Sequence, residues 1–329
     1  MVKQKYGVGI IGCGLIGLKR ANSINDKSEI RFFCDIKIKK AKSYANKFKC
    51  SFTSNWKELI DSINVDIVII STTHNLLAEM AEYSIDRSKP TFIEKPGAFE
   101  SKEFDILIEK SKKHNIPVHV GYNHRFHPSF IKAKDFIKNK KIGDLYFIRA
   151  HYGHGGRIGY DSEWRSNKNI SGGGELIDQG THLIDLSMWL FEEDFLNISG
   201  NLKTYFWDMD VEDNVFMILE TKTKKIANLH ASWTEWKNQF HFEIVGETGK
   251  ILIEGLGGSY GKEKLTFYKM KPEMGVPEIK EWSWEENDTS WVSQWSSFIN
   301  DIVKDQINCE PGLESSKKIL KIVDNLYGR

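Results

Sequence analysis

The sequence predicts an α/β domain followed by an α+β domain built on a large, mostly antiparallel open sheet. Three observations lead there. The chain has 329 residues, which at roughly 100–200 residues per domain is length for two. Up to residue 122, short runs rich in Ile, Val and Phe alternate with segments of helical period, the rhythm of a parallel sheet with crossover helices. From residue 123 onward, strand-like runs follow one another with only turns between them, as antiparallel pairing allows. The expected domains are therefore 1–122 and 123–329.

Taken in order, strands of the first domain are expected at 6–11, 29–34, 66–71, 91–94 and 118–122, with a short one near Ser51. Its helices fit 16–23, 37–48, 56–62, 76–86 and 101–114. A helix over 128–138 opens the second domain, whose strands fit 145–152, 198–207, 214–221, 225–233, 241–246, 250–253, 265–270 and 278–284. A helix over 176–191 interrupts them, and helices over 291–305 and 313–327 close the chain. So large a sheet, with many aromatic and β-branched residues and few helices to cover it, predicts a homo-oligomer, dimer or tetramer.

Composition narrows the function. Lys plus Arg number 46 against 45 Asp plus Glu, a formal net charge of +1, so the chain lacks the basic excess that nucleic acid or an anionic membrane surface demands. The uncharged run Tyr6 to Leu18, between Lys5 and Lys19, is shorter than the ~20 residues that span a bilayer, and five glycines in it argue against a signal peptide. Cys13, Cys34, Cys50 and Cys309 form no C-x-x-C pair and read as reduced thiols of a cytoplasmic protein.

Gly12-Cys13-Gly14-Leu15-Ile16-Gly17 is G-x-G-x-x-G between a strand and a helix, and Asp35 follows Gly17 by 18 residues at the end of the next strand. The first glycine permits the tight turn, the second a close backbone approach to a pyrophosphate, and the third packing of helix on strand. This is a dinucleotide-binding (Rossmann) fingerprint. Asp35 accepts from the adenosine ribose hydroxyls and opposes a 2′-phosphate, so the cofactor expected is NAD; the alternative for Asp35 is a helix cap.

Two further motifs hold reactive side chains. Glu94-Lys95-Pro96 falls where a strand ends at the carboxyl edge of the first sheet, where doubly wound folds bind ligands; a solvated loop lysine is the alternative. Gly172-Gly173-Gly174 permits either close approach of a ligand or an unusual loop geometry, and helical period then resumes through Asp178 and His182. Four apart, these two share a helix face, as an ordinary ion pair or as a carboxylate orienting a general acid or base. No metal site is expected: His124 and His127, and His151 and His154, are three apart, which in a strand sends them to opposite faces, and no Cys or carboxylate pattern completes a set. Arg125 and Arg157 are candidates to grip a diphosphate or carboxylate of a substrate.

Taken together, the glycine fingerprint, Ser71-Thr72-Thr73-His74, Glu94-Lys95-Pro96, Gly121-Tyr122-Asn123-His124-Arg125-Phe126, Trp164-Arg165 and the glycine-run helix resemble the glucose-fructose oxidoreductase, inositol dehydrogenase and MocA (Gfo/Idh/MocA) family over essentially the whole chain. The resemblance implies Lys95, Asp178 and His182 as the catalytic group. For the cofactor it implies Gly12, Gly14, Leu15, Ile16, Gly17, Asp35, Ser71, Thr72, Thr73, His74, Glu94, Lys95, Asn123, Trp164 and Arg165; for the substrate, Tyr122, Arg125, Arg157, Tyr160, Asp178 and His182. The site is expected in the cleft between the two domains. Thr73 and Leu77 depart from the family, which commonly has Pro and His there. The implied reaction is hydride transfer between nicotinamide and a secondary alcohol or ketone of a sugar, cyclitol or nucleotide sugar. Two other readings stay open: an enzyme that recycles a tightly bound NAD, as a sugar dismutase or glycosidase, and a non-catalytic NAD-binding sensor.

Overall fold

Continuous apolar runs become strands buried on both faces. The structure is a computed structural model that describes residues 5–284 and 287–329. In its first part β1 (Tyr6–Ile11), α1 (Leu15–Asn22), β2 (Ser28–Cys34), α2 (Ile38–Phe48), β3 (Ser51–Thr53), α3 (Trp56–Asp61), β4 (Ile67–Ile70), α4 (Leu77–Asp86), β5 (Thr91–Ile93), α5 (Glu103–His114) and β6 (Val118–Val120) alternate as the rhythm requires. The six strands lie parallel in the order β3-β2-β1-β4-β5-β6. The order reverses between β1 and β4, and the loops at their carboxyl ends form the crevice in which such sheets bind nucleotides.

The second part runs α6 (Pro128–Lys138), β7 (Leu145–Gly153), α7 (Lys168–Ser171), a π-helical turn Leu176–Gly180, α8 (Thr181–Phe191), β8 (Phe195–Lys203), β9 (Asn214–Thr221), β10 (Ile226–Ser232), β11 (Gln239–Gly246), β12 (Gly249–Glu254), β13 (Lys264–Lys269), β14 (Glu278–Ser283), α9 (Ser290–Val303) and α10 (Leu313–Tyr327). Eight strands form one sheet in the order β14-β13-β12-β11-β7-β10-β9-β8, antiparallel except between β7 and β10. Alternation sorts its faces. Val215, Met217, Leu219, Ala227, Leu229 and Ala231 are buried, while Phe216, Ile218 and Ile226 between them are exposed.

Contacts group the residues up to Tyr122 with Trp291–Lys318, and Asn123–Ser290 with Ile319–Arg329. Residues 291–318, read from the sequence as part of the second domain, thus belong with the first sheet. Trp295, Phe298 and Ile299 of α9 pack into the core of Val8, Phe33, Ile69 and Phe92. Local rhythm shows that a helix is amphipathic but not which sheet its apolar face covers. One strand also shifts: 198–207 was expected, but β8 spans Phe195–Lys203. The Asp213 carboxylate accepts from the N–H groups of Tyr205, Phe206 and Trp207 at 2.9, 2.8 and 3.1 Å, donors that a longer strand would have used.

Candidate active site

The glycines at the end of β1 do different work. Gly12 has φ +98°, and a Cβ there would stand 2.3 Å from the Ser71 carbonyl oxygen; a Cβ at Gly17 would stand 2.0 Å from the Gly12 carbonyl oxygen. At Gly14 a Cβ would meet nothing within 4 Å among the described residues. The turn is therefore closed at its first and third glycines and open at the second, where backbone N–H groups at the start of α1 lack intrahelical partners. This geometry fits a pyrophosphate. Ser71 secures the turn, its hydroxyl 3.0 Å from the carbonyls of both Ile11 and Gly12. Asp35 accepts from the Cys13 N–H through one oxygen and from the Lys37 N–H through the other, each at 2.8 Å. It thus braces the turn and opens the loop into α2 at the same time. Burial and then Asp35 push the Cys13 and Cys34 thiols up to about 12, so neither is a thiolate at neutral pH.

Lys95 is half-buried just beyond β5. Its neighbour Glu94 is buried and ion-paired with Arg20, whose guanidinium also donates to Gln294 at 3.0 Å and lies over Phe92 and Trp291. Glu94, expected beside the cofactor, is thus turned into the packing of the first sheet. His74 is buried in a short 3-10 turn, and the Thr73 hydroxyl donates to Asn75 Oδ1 at 2.7 Å. Leu77, one of the departures, is fully buried at the start of α4. Tyr122 is also fully buried.

In the second unit the glycine run is held from below by Glu212, which the sequence did not single out. Its buried carboxylate accepts from the N–H of Gly174 at 3.1 Å, the N–H of Leu176 at 2.9 Å and the Tyr327 hydroxyl at 2.7 Å. Burial pushes that carboxyl up, while these donors pull it back. A Cβ at Gly173 would stand 1.9 Å from the Tyr327 hydroxyl, and one at Gly174 would stand 2.0 Å from the Glu212 carbonyl oxygen. Of the two uses open to a glycine triplet, this one serves loop geometry.

The expected single helix over 176–191 begins instead as the π-helical turn that carries Asp178, and α8 carries His182. Wide turns of this kind recur at functional positions. Asp178 Oδ2 lies 3.4 Å from Arg165 Nε, and Arg157 pairs with Glu163 at 2.5 Å. His182 is 5% exposed and lies flat on the His124 ring, with centroids 3.8 Å apart and planes 14° apart. His124 Nε2 in turn meets the Tyr152 hydroxyl at 3.2 Å, and its Nδ1 meets Asn123 Oδ1 at 3.2 Å. Gln179 ties the same layer together, its nitrogen donating to Glu175 at 2.6 Å and its oxygen accepting from the Tyr260 hydroxyl at 2.8 Å. Burial first, and then the charge of Asp178, push the Tyr160 phenol up; Tyr152 is raised chiefly by burial. Both phenols therefore stay protonated donors, unsuited to act as bases near neutral pH.

One expected contact goes elsewhere. Arg125 forks onto Asp185, with Nε 3.0 Å from both carboxylate oxygens and Nη2 at 2.6 Å, and both residues are buried. Its planar fork anchors the 123–126 turn to α8 and is not presented to a substrate. His127 Nδ1 meets Glu263 Oε2 at 2.9 Å. His124 itself is the residue that spacing undervalued: its contact with His182 is made across two elements, so no sequence interval announces it.

Residues 6–122 match the family model described as "Oxidoreductase family, NAD-binding Rossmann fold", and 130–252 match the "GFO/IDH/MocA C-terminal domain". The chain belongs to the Gfo/Idh/MocA family. Its first unit thus carries that family's NAD-binding domain, and the protein is an NAD-binding oxidoreductase. Levoglucosan dehydrogenase of Pseudarthrobacter phenanthrenivorans is 27% identical over 291 residues, 76% of this chain and 74% of that protein. Inositol 2-dehydrogenase/D-chiro-inositol 3-dehydrogenase of Lactiplantibacillus plantarum is 26% identical over 282 residues, covering 80% and 78%. A solved levoglucosan dehydrogenase in complex with NADH and levoglucosan shares the fold with a TM-score of 0.87 at 21% identity, over 99% of this chain and 97% of that one. Among the described residues no helix is long and apolar enough to cross a membrane.

Proposed function

We propose that the protein moves a hydride between NAD and a secondary carbinol carbon of a sugar, cyclitol or nucleotide sugar, with Lys95, Asp178 and His182 as the catalytic group. In the oxidation direction His182 takes the hydroxyl proton. Lys95 donates a hydrogen bond to the same oxygen as it becomes a carbonyl, and Asp178 orients the imidazole; reduction runs the same groups in reverse. NAD, when bound, supplies the hydride acceptor. The observation that carries this reading is the setting of His182: its ring is stacked on His124 in a layer whose phenols burial holds protonated, which leaves the imidazole as the side chain placed to exchange a proton. Relatives named for levoglucosan and inositol support the substrate class.

The test is a screen of sugars, cyclitols and nucleotide sugars with NAD and NADH, followed at the nicotinamide absorbance. On a turned-over substrate, His182→Ala and Lys95→Ala should each lower kcat by about 10² to 10⁴ while NADH affinity changes little. Asp178→Asn should lose less, and the double mutant far less than the product of the singles, because the three act as a unit. Near wild-type kcat in His182→Ala would remove the proton relay. The exposed Tyr146, Phe216, Ile218 and Ile226 on the second sheet further support a homo-oligomer, to be checked by light scattering at micromolar concentration.

A further inference from the structure

The open face of the second sheet carries a row of side chains that the proposed reaction does not use. Phe216 on β9, His230 on β10, His151 on β7 and His241 on β11 are directly paired from strand to strand. At the strand spacing of about 4.8 Å, neighbours in such a row touch. The His151 and His230 rings stack with centroids 4.8 Å apart, and His230 lies flat on Phe216 at 4.1 Å. Three residues beyond β10, Glu235 brings Oε1 to 2.9 Å from His151 Nε2. That nitrogen is shielded from solvent and makes no hydrogen bond among the described residues, so the short approach is not a donor aligned on an acceptor. Gln239 donates to the other carboxylate oxygen of Glu235, Oε2, at 3.3 Å.

The neighbours of His230 fix its tautomer. Asn214 Nδ2 donates to Asp213 Oδ1 at 3.0 Å and to Thr234 Oγ1 at 2.9 Å, which turns Asn214 Oδ1 onto His230 Nε2 at 3.0 Å. An amide oxygen only accepts, so Nε2 carries the proton and Nδ1 presents a bare lone pair. Metal-bound histidines are prepared in the same way, by a hydrogen bond from the other ring nitrogen.

One ligand-capable atom from each of His151, His230 and Glu235 lies within 4.8 Å of the other two. Nitrogen and oxygen ligands of zinc at roughly 2.0–2.2 Å stand about 3.4 Å apart in a tetrahedron, so side-chain movements on the order of 1 Å close the set. We propose that His151, His230 and Glu235 bind a divalent ion of the zinc class, with water completing its coordination. Two imidazoles and a single carboxylate suit zinc-class ions and not Mg²⁺ or Ca²⁺, which take oxygen ligands. The ion ties the segment after β10 to the face of the sheet, next to Trp236, a non-glycine residue held at φ 47°. Pairing His151 with His154 along one strand missed this set, since His154 Nδ1 accepts from the Gly156 N–H at 2.9 Å and the true partner lies across the sheet.

Tag-free full-length protein, stripped with a chelator, should be titrated with Zn²⁺ in competition with a chromogenic chelator. One ion per chain is expected, and X-ray absorption of the zinc form should show two imidazole ligands. His230→Ala and Glu235→Gln should each weaken binding at least about tenfold, and Asn214→Ala by about 10- to 100-fold through loss of the oriented ring. His241→Ala, on the same row but outside the set, should bind as the parent does. Glu235→Gln preserves shape, so it keeps the test valid if His230→Ala misfolds by circular dichroism. Binding well below one ion per chain, unchanged affinity in Glu235→Gln, or a zinc spectrum without imidazole would each overturn the site.

Discussion

Two glycine-rich segments, Gly12 to Gly17 and Gly172 to Gly174, each lead into a helix, and in the sequence they read alike. Their surroundings differ. Around Gly14 there is open space, whereas Gly173 and Gly174 are pressed against the Tyr327 hydroxyl and the Glu212 backbone. Within the first segment Gly14 leaves room for a ligand to approach while Gly12 and Gly17 pack on backbone; the second segment omits side chains so that the chain can pack on itself. Glycine in a motif is therefore a statement about missing volume, and only the identity of the neighbour says whether that volume belongs to function or to fold.

The sharpest way to break this contrast is Gly174→Ala. The methyl would meet the Glu212 carbonyl oxygen at 2.0 Å, and backbone cannot step aside as a side-chain tip can. Stability should fall by about 1–3 kcal/mol, lowering the Tm of the second unit by roughly 3–8 °C in a calorimetric scan. An unchanged Tm would mean that the glycine run is not serving the fold. Gly14→Ala should give the opposite pattern. With nothing within 4 Å of its Cβ and φ at −84°, the folded chain accepts alanine there, so Tm should stay within about a degree. NADH affinity should drop by about tenfold or more, because the methyl takes the space a pyrophosphate needs. Equal NADH affinity in fluorescence titration would place the phosphates elsewhere.

The same contrast explains what could be read before the structure was known. In the first unit the chemistry is local: β1, the turn, α1 and Asp35 lie within one βαβ stretch, so their spacing carries the geometry. In the second unit the strands were legible from alternation, but the contacts that define the site cross the fold. His124 meets His182, Arg125 meets Asp185, and Glu212 reaches both the glycine run and Tyr327. None of these separations repeats a helical or strand period. Arg125 was read as a substrate contact because an arginine's partner cannot be seen in a single sequence, and 291–318 was assigned to the wrong sheet for the same reason.

The smallest expected effect falls on Asp35, where fold and ligand roles coincide. Its carboxylate accepts from the Cys13 N–H inside the glycine turn and from the Lys37 N–H, so Asp35→Ser both removes a charge and loosens the turn. Absolute affinity for NAD should therefore fall and by itself decides nothing. The informative quantity is the ratio of dissociation constants for NAD and NADP. A 2′-phosphate about 4 Å from the carboxylate is opposed by up to about 4 kcal/mol at an effective dielectric of 20, reduced by solvent. In the wild type this should favour NAD by at least about tenfold. In Asp35→Ser the charge is gone while any damage to the turn weighs on both dinucleotides alike, so the ratio should approach one. If the ratio is near one already in the wild type, or stays high in the variant, Asp35 is bracing the glycine turn without selecting the cofactor, and this residue would then join Gly174 on the side of the fold.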